Sequence, residues 1–258
     1  MSSEFFPQNL VDDFARHLLG LFPEEEVRRA ARVQGETDSN PLHNLTRFSG
    51  DPLGLARFLW PDNRFYDRQE EIVLSVRDNR ETWVSAAHQM GKDYVAGYVA
   101  SSCFLCPEAY FPQEVEWVRG KGREPTVRIV STSVKDDHLR VLWGEMGRFL
   151  DTCQFPLQYS KGGSLVVNHR ELRKVDRVTR EIDRISYLIG TVSKRGEGLA
   201  GHHADITLLM IDEASGVEDV VYTRGSSWAR KVFVWGNPYP SSLGATFFEK
   251  GVEGGDMR

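Results

Sequence analysis

The stretch from Ser85 to Asp93 has the residue types and spacing of a phosphate-binding loop. A short apolar run, Thr82 to Ser85, precedes it, and a stretch of helical character, Tyr94 to Leu105, follows. A strand, a tight loop that ends in Gly-Lys and a helix are the parts of a P-loop, whose backbone N–H groups and helix N-terminus bind phosphate oxygens. We therefore expect Gly91 to let the backbone approach the phosphates and Lys92 to contact their β and γ oxygens.

The loop departs from the usual G-x-x-x-x-G-K-[ST] pattern at two positions. Ala86 stands at the first glycine, and Asp93 replaces the hydroxyl residue that ligates Mg²⁺. A carboxylate is a hard oxygen ligand that suits Mg²⁺, so we expect Asp93 to bind the metal. The alternative is a first-turn residue that only favours the helix dipole. The remaining loop residues are expected to contact the nucleotide too: Ala87, His88, Gln89 and Met90.

A match degraded in this way can arise by chance, but a second motif supports it. The run from Asp205 to Ala214 is apolar and ends in Asp212-Glu213, which predicts a buried parallel strand with two carboxylates at its C-terminal edge. In P-loop ATPases the first carboxylate holds Mg²⁺ and the second activates the attacking water. The alternative is a core strand followed by an acidic helix start. Together and in this order, the two motifs favour an ATPase that uses ATP and Mg²⁺.

Composition places few limits on function. The chain has 258 residues, 40% of them hydrophobic and 27% charged, with a net charge of −5. These values are typical of a globular protein, and the negative charge argues against a protein that coats polyanions generally. No apolar run approaches the length of a membrane span, and the N-terminus lacks the basic region of a signal peptide. We therefore expect no membrane partner and a location in the cytoplasm of the cell that makes the protein.

The three cysteines do not form a disulfide framework. Cys103 and Cys106 have C-x-x-C spacing but fall on the helix after the P-loop, where we expect them to pack as small hydrophobic residues. A zinc site would need a second pair of ligands, and His202-His203 is the candidate.

Strands and helices alternate along the chain, which predicts a mostly parallel, doubly wound α/β sheet. We expect residues 1–60 to form an N-terminal helical lid or arm, including a short helix from Asp51-Pro52 to Trp60, and residues 61–250 to form the core. Besides the strands already described, we predict strands at Thr126 to Thr132, Ser164 to His169, Ile185 to Val192 and Lys231 to Trp235, and helices at Glu70 to Arg77 and Lys135 to Leu150.

Gln69 precedes the P-loop strand and lies beside the aromatic residues Phe65 and Tyr66. A glutamine side chain pairs with both a donor and an acceptor, so Gln69 could contact the edge of adenine while Tyr66 stacks on the ring. The alternative is a helix start with a polar first turn.

These motifs together resemble the ATPase domain of the large terminase subunit of tailed bacteriophages. That family often lacks the first P-loop glycine, and it has an Arg-Gly segment before the acidic strand, matched here by Arg195 to Gly201. It also has a coupling motif after the next strand, matched by Gly236-Asn237-Pro238 and then Gly244 to Phe247. The resemblance covers about residues 65 to 250. Ala200 departs from it, because several family members carry a trans-acting arginine in that segment.

The resemblance implies a P-loop NTPase of the RecA/ASCE-like class that moves double-stranded DNA into a viral procapsid. It implies a homo-oligomeric ring, with a portal and a small terminase subunit as partners, in the host cytoplasm. Arg195 is then the candidate arginine finger and Asn237 the candidate γ-phosphate sensor, although either can be an ordinary loop residue. Residues 251–258 would begin a linker to a C-terminal nuclease domain.

Two other functions stay open at this stage: a helicase-like nucleic-acid remodelling ATPase, and a nucleotide-gated binding protein with little turnover. Residues that contact DNA are not clear from the sequence, because basic runs usually form solvated faces. Two basic groups are candidates: Arg170, Arg173, Lys174, Arg177, Arg180 and Arg184 in one, and Arg119, Lys121 and Arg123 in the other.

Overall fold

The structure, a computed structural model, describes residues 41–87, 89–176, 179–193, 196–237 and 247–254. The residues from Leu45 onward belong to one compact unit. Most of the predicted N-terminal lid lies outside the described residues. The predicted short helix is present as α1, Pro52–Leu59, where Asp51 Oδ1 accepts the Gly54 N–H at 2.8 Å and caps the first turn. This helix lies in the compact unit, and the boundary at residue 60 stays a prediction.

A seven-stranded sheet forms the centre of the compact unit. Its strands are β1 Glu81–Ser85, β2 Val127–Ser133, β3 Leu165–Asn168, β4 Glu171–Lys174, β5 Tyr187–Val192, β6 Ile206–Asp212 and β7 Lys231–Gly236. They lie in the order β1-β7-β6-β2-β5-β4-β3, in which β1, β7, β6, β2 and β5 run parallel and the last two pair antiparallel. The predicted mostly parallel α/β sheet is confirmed.

Helices cover both faces of the sheet. Besides α1, the described α-helices are α2 Asp67–Asp78, α3 Lys92–Leu105, α4 Pro112–Arg119, α5 Asp136–Thr152, α6 Asp219–Ser226 and α7 Phe247–Gly254. On one face, Leu209 and Ile211 of β6 pack into a cluster with Val221 of α6 and Phe248 of α7. On the other face, Trp143 of α5 donates to a β2 serine. The sheet is therefore doubly wound, as predicted.

β6 is buried along its whole length, which explains its unbroken apolar sequence. All its side chains from Ile206 to Asp212 are buried, because β6 lies between β7 and β2 and is covered by helices on both faces. Successive side chains point to opposite faces, so Asp212 faces away from Ile211 and toward the side of α3. The strand thus places a carboxylate in the interior, at the sheet's carboxyl edge.

One sequence prediction needs correction. The charged segment Arg170 to Arg184 was expected to separate two strands, but it contains β4, whose Leu172 is fully buried. Side chains alternate along β4, so Glu171 and Arg173 pair on one face while Leu172 fills the core on the other, and the charges do not exclude a strand. Residues 251–254 form the end of α7, and the linker from residue 251 stays a prediction.

The two cysteines of the C-x-x-C pair are buried at the end of α3, as predicted for small hydrophobic residues. Burial raises the pKa of Cys103 to about 12, so the thiol stays protonated at neutral pH. Within the described part of the chain, no three His, Cys, Asp or Glu residues cluster as a metal site, and no helix is long and apolar enough to span a membrane.

Asp205 links β6 to the segment before β2. Its carboxylate accepts two hydrogen bonds from the Arg123 guanidinium, at 2.6 and 2.7 Å. It also accepts the Thr126 N–H at 3.0 Å and the Thr126 hydroxyl at 2.8 Å. The Arg123 hydrogen bonds, with those of Thr126, hold the pKa of Asp205 well below its usual range.

Asp205→Asn should lower the free energy of unfolding at pH 7 by about 1 to 3 kcal/mol, because charge-assisted hydrogen bonds are lost. Since the folded-state pKa lies below the unfolded value of about 3.9, this stabilisation is complete above about pH 5 and is lost as the pH falls toward the folded-state pKa. Urea unfolding of wild type and variant at pH 7 and pH 3 measures both effects.

Asp137→Asn is the matched control, because Asp137 also pairs with an arginine but is mostly exposed. It should change the free energy of unfolding by less than about 1 kcal/mol. Equal losses in the two variants, or a loss in Asp205→Asn that does not shrink at pH 3, would contradict the role of this ion pair.

Candidate nucleotide-binding site

The P-loop lies at the carboxyl edge of the sheet, between β1 and α3. Ser85 ends β1 in register with Gly236 of β7, and Gly91 is the N-cap of α3. Gly91 has φ +73°, and a Cβ there would lie 2.5 Å from Gln69 Nε2. The positive φ therefore favours glycine, and a Cβ there would also displace the Gln69 amide. Because Lys92 is the first residue of α3, the loop brings it to a helix N-terminus, where backbone N–H groups favour anions.

Lys92, Glu213 and Asn237 form a closed, hydrogen-bonded group, although they are far apart in sequence. Lys92 Nζ donates to Asn237 Oδ1 at 2.9 Å and lies 3.2 Å from Glu213 Oε1. Asn237 Nδ2 donates to Glu213 Oε2 at 3.1 Å. Lys92 and Asn237 are buried, whereas Glu213 is partly exposed. The structure thus brings together the predicted phosphate-binding lysine, general base and sensor.

The strand ends explain why these side chains meet. Glu213 directly follows β6, and Asn237 directly follows the neighbouring strand β7. Carboxyl ends of adjacent parallel strands lie at the same edge of an open sheet, where ligands bind. Glu213 has φ +47° and ψ +48°, a left-handed conformation that costs a non-glycine residue about 1 kcal/mol or more. The chain turns sharply there, and the side chain contacts Lys92 and Asn237.

Asp212 is a buried carboxylate whose hydrogen bonds are incomplete. Its side chain is 2% exposed, and Oδ1 has no hydrogen-bond partner among the described residues. Burial, followed by the nearby carboxylates of Asp93 and Glu213, raises the pKa of Asp212 to about 8. A bound cation would favour the charged form of this carboxylate, which burial and its two neighbours disfavour.

Asp93 has a partner that the sequence analysis missed. Trp235 Nε1, on β7, donates to Asp93 Oδ1 at 3.0 Å. Ile211 of β6 is opposite Val234 of β7, so Asp212 and Trp235 are next in register and point to the same face of the sheet. The available signal was a tryptophan two residues before Asn237 in an apolar strand, but its contact with Asp93 depends on tertiary structure.

Gln69 and Tyr66 contact the P-loop. Gln69 lies in the first turn of α2, is buried, and accepts the Tyr66 N–H with its Oε1 at 3.3 Å. The Tyr66 hydroxyl donates to the Met90 carbonyl oxygen. The Tyr66 ring is 45% exposed, so one side remains accessible. The structure therefore places both predicted adenine-binding residues beside the loop; their contact with a base stays a prediction.

Several predicted residues lie outside the part of the chain that the structure describes. His88 of the P-loop, Arg195 and the segment Gly244 to Ala245 are among them. The roles of His88 as a nucleotide contact, of Arg195 as an arginine finger and of the second half of the coupling motif therefore stay predictions.

Most described members of the two basic groups have partners on the protein. Arg119 pairs with Glu108 and Glu124, Arg123 with Asp205, Arg170 with Asp136, and Arg173 with Glu171, while Lys121 lies over the Trp117 ring. Arg180 and Arg184 are exposed and have no ion pair within the described ranges. With Arg173 they line a cavity of about 820 Å³ beside β3 and β4. DNA contact by either group stays a prediction.

The fold is similar to that of phage large terminase ATPase domains. A mutant form of the Thermus phage P74-26 large terminase ATPase domain superposes with a TM-score of 0.50 at 14% identity, covering 76% of this chain and 71% of that chain. A second structure of that domain gives 0.49 at 13% identity, with the same coverage. The HK97 bacteriophage large terminase gives 0.46 at 13% identity, covering 76% of this chain and 37% of that chain.

No protein-family model matches the chain, and no curated protein matches it in sequence. The fold expected from the resemblance to the terminase ATPase domain is confirmed, whereas at these identities the activity is not inherited from the similarity.

Proposed function

We propose that this chain is the ATP-hydrolysing motor of a DNA-packaging terminase. The convergence of Lys92, Glu213 and Asn237 at the carboxyl edge of the sheet carries the proposal. A phosphate-binding lysine, a carboxylate base and an amide sensor are the groups that phosphoryl transfer to water requires. The similarity of the fold to the ATPase domain of a phage large terminase supports packaging as the use of that chemistry.

Lys92 holds the γ-phosphate in this proposal. Its ammonium group already contacts the Glu213 carboxylate and the Asn237 carbonyl oxygen. A phosphate oxygen carries negative charge and is a stronger hydrogen-bond acceptor than the neutral Asn237 amide oxygen. Phosphate in the loop would therefore compete for the same lysine donors. Binding of ATP would therefore loosen the contacts of Lys92 with Glu213 and Asn237. Glu213 would then be available to accept a proton from the attacking water.

The carboxylates of Asp212 and Asp93 fit Mg²⁺. Asp212 Oδ1 is buried without a partner among the described residues, and burial, together with the carboxylates of Asp93 and Glu213, raises the pKa of Asp212 to about 8. Mg²⁺ is usually held in proteins by one or two carboxylates together with substrate phosphates. When bound, the ion would neutralise charge on the phosphate oxygens. Asp212 and Asp93 would hold it, and Lys92 would provide the second positive charge at the site.

Glu213 is the proposed general base. Asn237 Nδ2 donates to its carboxylate, so a hydrogen bond from the residue after β7 orients the base. Gln69 and Tyr66 are proposed to bind adenine, because both lie against the P-loop. Arg195 is proposed to reach the ATP of a neighbouring subunit in a homo-oligomeric ring. The proposed partners are double-stranded DNA, a portal, a procapsid and a small terminase subunit, in the host cytoplasm.

Asn237→Ala should uncouple hydrolysis from DNA movement. The substitution removes the amide that contacts both Lys92 and Glu213, but leaves lysine and base in place. We expect ATP hydrolysis to persist at a reduced rate while DNA movement stops. Phosphate release and DNA translocation, measured on the same preparation, give the two rates.

Asn79→Ala is the matched control, because Asn79 is an exposed amide at the end of α2 that contacts only that helix through its side chain within the described residues. It should leave both rates unchanged. Full DNA movement by Asn237→Ala would end the coupling role.

A triplex-displacement assay tests the proposed function. The protein, with portal-bearing procapsids, is given ATP, Mg²⁺ and linear double-stranded DNA that carries a bound third strand. A packaging motor should displace the third strand in an ATP-dependent manner and protect the DNA from nuclease. If the protein separated the strands of a forked duplex but did not displace the third strand, it would be a helicase. Nucleotide binding without displacement, unwinding or turnover would identify a nucleotide-gated binding protein.

A further inference from the structure

The hydrogen bond between Trp235 and Asp93 joins a buried indole donor to a carboxylate at the start of α3. Trp235 is fully buried, so its indole N–H needs an acceptor, because a buried donor left without one destabilises the fold. That acceptor is the second residue of α3, at the position where a P-loop usually has a neutral hydroxyl. One buried aromatic donor therefore fixes the orientation of this carboxylate.

Only one oxygen of Asp93 is used in this contact. Trp235 donates to Oδ1, and within the described residues Oδ2 accepts no hydrogen bond. Asp212 is next in register to Trp235 and has its own Oδ1 buried without a partner. Two neighbouring carboxyl groups thus each have an oxygen without a hydrogen bond among the described residues, and one of them belongs to a side chain that is 2% exposed. When both are ionised, the two carboxylates repel each other, and a bound cation would offset that repulsion.

We propose that Trp235 is a positioning residue that holds Asp93 beside Asp212, and that the two carboxylates bind a divalent cation of the Mg²⁺ class without nucleotide. A P-loop with a hydroxyl at this position offers one carboxylate, so the cation depends on the phosphates for most of its ligands. Asp93 adds a second negative charge to the protein's share of the site. The location of the cation rests on the proposed function, but cation binding of this kind does not require that ATP is hydrolysed.

Titration with Mn²⁺ in the absence of nucleotide tests this, with free Mn²⁺ followed by electron paramagnetic resonance. We expect wild type to bind Mn²⁺ at one saturable site. Asp93→Asn keeps an acceptor for Trp235 but removes the charge, so it should lose that binding. Trp235→Phe keeps the charge but removes the hydrogen bond, so it should weaken binding by about 10-fold to 100-fold.

Trp60→Phe is the matched control. Trp60 is also buried, and its indole N–H also donates to an acceptor, the Phe149 carbonyl oxygen, but it packs against Tyr98 and Phe149. It should bind Mn²⁺ like wild type, and circular dichroism checks that each variant is folded. Asp93→Asn gives an independent answer if Trp235→Phe does not fold.

Two results would overturn the inference: Mn²⁺ binding by wild type only when ATP or ADP is present, or equal affinities in Asp93→Asn and wild type. Equal affinities in Trp235→Phe and Trp60→Phe would remove the positioning role. These failures are distinct from failure of the proposed function. A chain that hydrolyses ATP but binds Mn²⁺ only with nucleotide keeps its function and loses this inference. One that binds Mn²⁺ alone but hydrolyses nothing does the reverse.

Discussion

Lys92→Ala is expected to abolish nucleotide binding, and to lower ATP hydrolysis by about two orders of magnitude or more. Lys92 is the cation at the N-terminus of α3, and its ammonium group lies within 3.2 Å of both Glu213 and Asn237. Without it, the phosphates would face the carboxylates of Glu213, Asp212 and Asp93 without the ammonium charge that offsets their repulsion. Binding of a fluorescent ATP analogue and release of phosphate measure the two effects.

Two further variants make this result interpretable. Lys92→Met keeps most of the side-chain volume and should behave like Lys92→Ala, which separates loss of charge from loss of packing. Lys161→Ala removes an exposed lysine that pairs with Asp151, and should bind nucleotide like wild type. Unchanged nucleotide affinity in both Lys92 variants would remove the P-loop assignment.

Glu213→Gln is expected to lower kcat by about two orders of magnitude or more while nucleotide binding survives. Glutamine keeps the shape of the side chain and an oxygen that can accept from Lys92 and Asn237. It is not a base at neutral pH, so it cannot take a proton from water. Single-turnover phosphate release, compared with equilibrium binding of the ATP analogue, separates chemistry from affinity.

Glu218→Gln is the control for this substitution, because Glu218 is an exposed N-cap of α6 without a side-chain cap bond. It should leave kcat unchanged. If Glu213→Gln lost only affinity and Asp212→Asn proved harmless, the roles of the two carboxylates would need to be reversed.

Much of the site could be predicted because parallel strands end at one edge of a sheet. The apolar run before Asp212-Glu213 and the short strand before Asn237 are strong local signals, and both strands are present as β6 and β7. Since β7 lies between β1 and β6, the P-loop and the two acidic residues must meet there. Local patterns do not predict the strand order itself. The order of the motifs along the chain was nevertheless sufficient to predict which residues form the site.

The features that were missed depend on contacts over long sequence separations. Trp235 is one more apolar residue in a buried strand, and its bond to Asp93 joins residues 142 positions apart. It also gives Asp93, the main departure from the P-loop pattern, a structural role. β4 was missed for a different reason: its charged side chains pair along the hairpin, so its single buried leucine gives a weak alternating pattern.

Phosphate release from ATP is the most direct test of whether this site hydrolyses ATP, as the proposed motor requires. The protein is incubated with ATP and Mg²⁺, with and without linear double-stranded DNA, and Lys92→Ala is measured beside it. We expect wild type to release phosphate only with Mg²⁺, faster when DNA is present, and the variant to release none above background. Wild type that binds ATP and Mg²⁺ but releases no phosphate, with or without DNA and its packaging partners, would contradict an ATP-driven motor.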